Sequence, residues 1–199
     1  MTKHVYVFLI LFVSSCASID TESPYAEFFR GIGSYFFDRK QEVSDEFIES
    51  FPYSFAIVTV GRSPEYRLVL VDIKDNTYEW ISADYVRIFT KNGRIVKTFG
   101  LQHDIEYRNF ADITTKPVIS QSMIVDYFEP PLYSVMIEAN YSYDGDVVIE
   151  DILSSALGWR GQNKYKISKT GDVIETEQMI HPFLPVIKMK FYPKKNSAS

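Results

Sequence analysis

The sequence is poor in the residues that mark most kinds of protein chemistry. Its 199 residues include one cysteine, Cys16, and three histidines. A single cysteine makes neither an internal disulfide nor a cysteine-rich zinc site. The chain has no GxSxG elbow, no P-loop and no paired metal-ligand spacing. Lys and Arg number 21 against 26 Asp and Glu, for a formal net charge of −5. That balance excludes the clustered basic surface that nucleic acid requires, and with it a polybasic hold on anionic lipid. The residues imply no metal, no cofactor and no catalytic set.

Long apolar runs are missing too. Val5 to Val13 is nine residues, whereas a spanning helix needs roughly 20. What the chain does have is 46% hydrophobic residues and 16% aromatics. The first suffices for a core, and the second favours strands.

Position gives the lone cysteine its meaning. Lys3 supplies a charged start, Val5 to Val13 a short apolar segment, and Ser14 and Ser15 small residues just before Cys16. This is the build of a secretory signal, residues 1–15. Val13-Ser14-Ser15-Cys16 resembles the lipobox of bacterial lipoproteins, in which the thiolate accepts a diacylglyceryl group. Cys16 is therefore the expected lipid attachment site, and the lipid the expected link to a membrane. By resemblance to the sorting rule of enteric-type bacteria, Ala17 in place of Asp permits transfer to the outer membrane. Residues 16–24 are small and polar, a tether, and residues 25–199 form a single β-rich periplasmic domain.

That domain is expected to open with one or two short helices. Tyr25 to Phe37 carries apolar residues at helical spacing, and Ser44 suits the N-cap of a second helix ending at Pro52. Strands follow: Ser54 to Val60, Tyr66 to Ile73, Tyr78 to Ser82, Pro117 to Phe128, Tyr133 to Ser142, Val147 to Glu150, Tyr165 to Ser168, Val173 to Gln178 and Val186 to Tyr192. Leu68 to Val71 is continuously apolar and reads as buried on both faces. Asn92-Gly93 suits a two-residue turn between Val86 and Phe99, pairing Thr90 with Ile95, Ile88 with Lys97 and Val86 with Phe99. That register puts Arg94 and Thr98 on the wetter face. Eight to ten strands indicate a mainly β protein, an antiparallel sandwich or half-barrel.

Few residues invite a functional role. His103-Asp104 and His181-Pro182 are isolated in sequence and read as loop residues. Trp80 reads as core. Trp159 and Arg160, flanked by Gly158 and Gly161, read as a loop that could bind a partner, although a core position for Trp159 fits equally.

Several segments together resemble the YjbF/GfcB family of lipoproteins associated with exopolysaccharide and group 4 capsule. They are Phe51-Pro52-Tyr53-Ser54; Leu68-Val69-Leu70 with Tyr78 to Asp84; Asn92 to Leu101, ending in Thr98-Phe99-Gly100-Leu101, with Asp104; Asn163-Lys164-Tyr165; Thr170-Gly171; and Gln178 to Pro182. Lys166 departs from the tryptophan often found near the Asn-x-Tyr segment. The resemblance implies an outer-membrane, lipid-anchored accessory factor on the periplasmic face. It implies a large β-barrel partner, a second periplasmic β-rich partner and no catalytic residue. Two further readings stay open: a half-barrel carrier of an amphiphile, and a polysaccharide-modifying enzyme.

Overall fold

The computed structural model describes residues 43–110, 112–114 and 119–194. The first expected helix, Tyr25 to Phe37, and the calls at Cys16 and Ala17 lie outside them. Helix α1 (Asp45–Ser50) is capped by Ser44, whose hydroxyl accepts the Phe47 N–H at 3.1 Å. Asp45 and Glu46 in its first turn suit the positive end of the helix dipole.

Twelve strands follow: β1 (Phe55–Val60), β2 (Tyr66–Lys74), β3 (Thr77–Ser82), β4 (Arg87–Lys91), β5 (Arg94–Phe99), β6 (Ile105–Arg108), β7 (Ser120–Phe128), β8 (Pro131–Asp144), β9 (Val147–Ser154), β10 (Trp159–Ile167), β11 (Val173–Gln178) and β12 (Ile187–Tyr192). Each pairs antiparallel with its sequence neighbour, and β12 returns to pair with β1, Phe55 opposite Tyr192 and Val60 opposite Ile187. The sheet is thus a closed barrel, which corrects the expected sandwich or half-barrel. Two things hid the closure. Strand β6 is only four residues long, and β9 and β10 extend well beyond their most apolar stretches.

The inner and outer faces explain the composition. Trp80, Tyr107, Tyr127, Tyr141, Trp159 and Tyr165 belong to one interior cluster with Met123 and Met189. A wide barrel needs bulky side chains to fill it, and the aromatics supply that volume. Trp80 is core, as its sequence suggests, and its indole N–H donates to Thr90 Oγ1 at 2.8 Å. The outside is the reverse. Arg160, Gln162, Lys164 and Lys166 on β10, and Lys188 and Lys190 on β12, all face outward. A barrel in lipid carries its apolar residues outside and its polar ones within; this one is patterned for water. No helix among the described residues is long and apolar enough to cross a membrane.

One outer wall is apolar, and α1 covers it. Phe47 and Phe51 pack with Phe55, Val69 and Ile81, which lie side by side on β1, β2 and β3. Leu68 meanwhile points into the main core. The apolar run in β2 therefore has a buried face on each side, one lining the barrel and one under the helix.

The Asn92-Gly93 turn is present, both residues at positive φ (49° and 77°). Thr90 faces Ile95 as expected, but the register then shifts between Phe89 and Thr90. Phe89 faces Lys97, Ile88 faces Thr98 and Arg87 faces Phe99. The irregularity adds one residue to β5 and reverses the faces beyond it. Thr98 is consequently buried, whereas Phe99 is 62% exposed and Lys97 pairs with Glu106 at 3.1 Å. Arg94, expected on the wetter face, is buried as well.

Candidate functional site

Alternating strand direction sorts the connections between the two ends of the barrel. The β1–β2, β3–β4, β5–β6, β7–β8, β9–β10 and β11–β12 connections share one end; α1 and the first and last described residues, 43 and 194, belong to the other. Two side-chain assemblies stand out, one in the interior and one at the end remote from α1.

The interior assembly is built on the β4–β5 turn. The amide of Gln178 receives the Ile95 N–H at 3.0 Å and donates to the Gly93 carbonyl at 2.9 Å, drawing the turn against β11. Arg94 thereby enters the barrel. Its guanidinium grips Glu150 through Nη1–Oε2 (2.9 Å) and Nη2–Oε1 (2.7 Å), with side chains only 3% and 0% exposed. Glu150 Oε2 also accepts from Asn163 Nδ2 at 2.8 Å and from the Tyr165 hydroxyl at 2.9 Å, while Arg94 also donates to the Tyr141 hydroxyl at 3.2 Å. Asn163 Oδ1 accepts the Met179 N–H at 2.7 Å. Burial by itself would raise the Glu150 carboxyl, but the charge of Arg94 and the hydrogen bonds from Arg94 and Asn163 outweigh it and hold the group below its ordinary range. Glu150 is an ionised acceptor tied to four donors, the geometry of a structural ion pair rather than of a proton-transfer group.

The end assembly joins the isolated histidines. The rings of His103 and His181 stack with centroids 4.7 Å apart and planes at 7°. Tyr127 meets His181 in a T-shaped contact, with centroids 4.7 Å apart and planes at 90°. Phe183 lies 5.7 Å from His103 and 5.4 Å from His181. His181 Nδ1 accepts the Phe183 N–H at 3.0 Å, and His103 Nδ1 is in hydrogen-bond contact with the Glu129 carbonyl. Burial, and secondarily His103, lowers His181 to about 4.

Asp104 does not serve its neighbouring histidine. Its carboxylate accepts Thr98 Oγ1 at 2.8 Å and the N–H groups of Gly100 and Leu101 at 2.8 and 3.1 Å. Thr98 Oγ1 in turn accepts the Ile105 N–H at 3.1 Å. The Thr98 to Leu101 segment and Asp104 together fasten the β5–β6 turn. Among the described residues no three His, Cys, Asp or Glu side chains gather as metal ligands.

Trp159 and Arg160 are not on a loop: both begin β10, where Trp159 is 9% exposed in the core and Arg160 faces outward. The positive-φ residue of that connection is Gly158, one position earlier. Strand alternation accounts for the split, since adjacent residues point to opposite faces. Exposed aromatics instead mark the connections nearby: Phe183 is 66% exposed, Tyr133 62%, and Phe128 packs edge-on against Tyr133 at 6.2 Å.

The interior set was absent from the sequence-based candidates, yet it had a signal. Glu150 sits in phase with Val148 and Ile152, Asn163 with Tyr165, and Gln178 with Thr176. A polar residue in phase with buried neighbours points inward.

A family model described as group 4 capsule polysaccharide lipoprotein gfcB, YjbF matches residues 25–125. The uncharacterized lipoprotein YjbF of Escherichia coli strain K12 is 23% identical over 164 residues, covering 70% of this chain and 74% of its own. The crystal structure of the hypothetical lipoprotein YmcC from Escherichia coli K12 shares the fold. Its TM-score is 0.73 at 21% identity, over 87% of this chain and 97% of that one.

Proposed function

The chain belongs to the YjbF family of group 4 capsule polysaccharide lipoproteins, and on that premise we propose that it is an accessory factor in capsule or exopolysaccharide assembly or export that acts by binding. The family match is the observation that carries this reading. Lipid on Cys16 holds the protein at a membrane, and Ala17 directs it to the outer one, on the periplasmic face. The barrel with its charged exterior then stands in water.

Two features of the geometry support binding over turnover. The ionised pair in the interior is buried and held in a two-point grip, and Asp104 is committed to its own turn. The closed sheet also removes the open half-barrel on which an amphiphile carrier would depend.

The surface proposed to meet a partner is the end remote from α1, where Phe183, Tyr133 and outward-facing Arg160 are found. Aromatics and Arg dominate binding hot spots. The partner is an outer-membrane β-barrel of the export system, with a periplasmic protein as a second. Replacing Phe183 and Tyr133 together with serine should lower co-purification of that barrel from detergent-solubilised outer membrane by about tenfold, the effect of roughly 1.4 kcal/mol. Full recovery of the barrel by a folded double variant would place the interface elsewhere.

A further inference from the structure

The two histidines are 78 positions apart in sequence, yet they bind three connections into one unit. His103 belongs to β5–β6 and contacts the Glu129 carbonyl in β7–β8; His181 belongs to β11–β12 and stacks on His103. A backbone hydrogen bond from Phe128 N–H to the Asp104 carbonyl (3.1 Å) joins two of these connections as well, and the histidine stack adds the third.

The contacts also dictate a protonation state. His181 Nδ1 accepts the Phe183 N–H, so that nitrogen carries a lone pair. A proton there would set two donors against each other and break the turn. Nδ1 of His103 faces a carbonyl oxygen and therefore donates, which fixes the opposite tautomer on that ring. Both rings are compatible with the closed arrangement when neutral. Their parallel stacking would bring a cation on His181 directly over a second imidazole.

Among the described residues no carboxylate is in contact with His181 to offset such a charge. The groups facing His181 are the His103 ring from β5–β6, the perpendicular ring of Tyr127 from β7, and Phe183 from its own connection. Asp104, next to His103, spends its oxygens on Thr98, Gly100 and Leu101. His181 is 2% exposed, so water cannot solvate the cation while the connection stays in place.

We propose that the His103–His181 stack is an acid-released clasp. It holds three connections together over one end of the barrel and lets them part when His181 gains a proton, uncovering Tyr127. The direction follows from linkage. The closed form binds the proton only near pH 4, whereas the open form binds it near the ordinary 6.5. Closure is fully favoured above 6.5 and weakens as pH falls from 6.5 to 4.

Amide hydrogen exchange on the full-length lipidated chain in detergent micelles tests this, each rate corrected for its intrinsic pH dependence. Between pH 7 and pH 4 the protection of the Phe183 amide, held by His181 Nδ1, should fall by about a hundredfold. Amides of β1 and β2 should keep theirs. His181→Gln retains a side-chain acceptor for the Phe183 N–H but cannot titrate, and should lose less than threefold. Equal loss in His181→Gln, uniform loss across the barrel, or none in the wild type would overturn the clasp. A second measurement stands apart from the variant's folding. The His181 ring followed by NMR should titrate near pH 4, and a midpoint of 6 or above would also overturn it.

Discussion

Replacing Arg94 with methionine should destabilise the barrel by about 3–5 kcal/mol, the largest effect expected of any single substitution here. The reason is what remains. Glu150 would keep its burial and lose two charge-assisted hydrogen bonds from the guanidinium, leaving neutral donors such as Asn163 and Tyr165. A carboxylate stranded in a dry interior takes up a proton instead. The variant should therefore lose less stability at pH 4 than at pH 7, because the support from the lowered Glu150 carboxyl is full above the ordinary carboxylate value and is lost as pH falls below it toward the folded value. Pairing Arg94→Met with Glu150→Leu should recover more than half of the loss, since a buried ion pair is worth little more than well-packed apolar groups of similar volume. Chemical denaturation of the single and double variants measures both quantities. A single-variant loss below about 1 kcal/mol would mean that the pair is hydrated in solution.

Gly93→Ala should cost about 2–4 kcal/mol, from two causes that can be separated. Its φ of +77° lies where a Cβ is disfavoured, and an ideal Cβ would sit 2.4 Å from Val173 Cγ1. The turn cannot retreat from β11 without losing both hydrogen bonds from Gln178. Adding Val173→Ala removes the overlap with both Cγ atoms but keeps Val173 Cβ 2.7 Å from the added Cβ, so it should recover part of the steric cost and none of the backbone part, about 1 kcal/mol. Thermal melts of the three variants distinguish these contributions. If the double variant is no more stable than Gly93→Ala, the two residues are not in contact.

The Arg94 and Gly93 predictions show where sequence reasoning reached and where it stopped. The turn at Asn92-Gly93 was legible because few residues other than Gly and Asn accept positive φ. Its consequence was not. Alternation through β5 pairs Lys97 with Ile88 and Phe99 with Val86, and a single register shift brings Thr98 opposite Ile88 instead. Nothing in the local pattern announces that shift.

Long-range pairing set the other limit. Glu150 stands 56 positions from Arg94, and their meeting requires a closed barrel. Closure depends on β12 finding β1, the first strand finding the last, which no local signal encodes. The same closure brings His103 to His181. The apolar run at Leu68 to Val71 was easier: burial on both faces is a property of the run itself, and α1 supplies the second cover. Trp159 shows the opposite case. Flanking glycines suggested a loop, but Gly161 lies within β10, against Ile152 and Met179. A close approach of neighbouring side chains accounts for that glycine better than a turn does.

The role in polysaccharide export rests on the family and is open to one direct measurement. Secreted polysaccharide should be quantified in a strain lacking the gene, complemented with the wild type or with Cys16→Ser. Deletion should lower secretion, the wild type should restore it, and Cys16→Ser, released into the soluble periplasm, should not. Secretion unchanged by deletion, or fully restored by Cys16→Ser, would contradict a membrane-anchored accessory role.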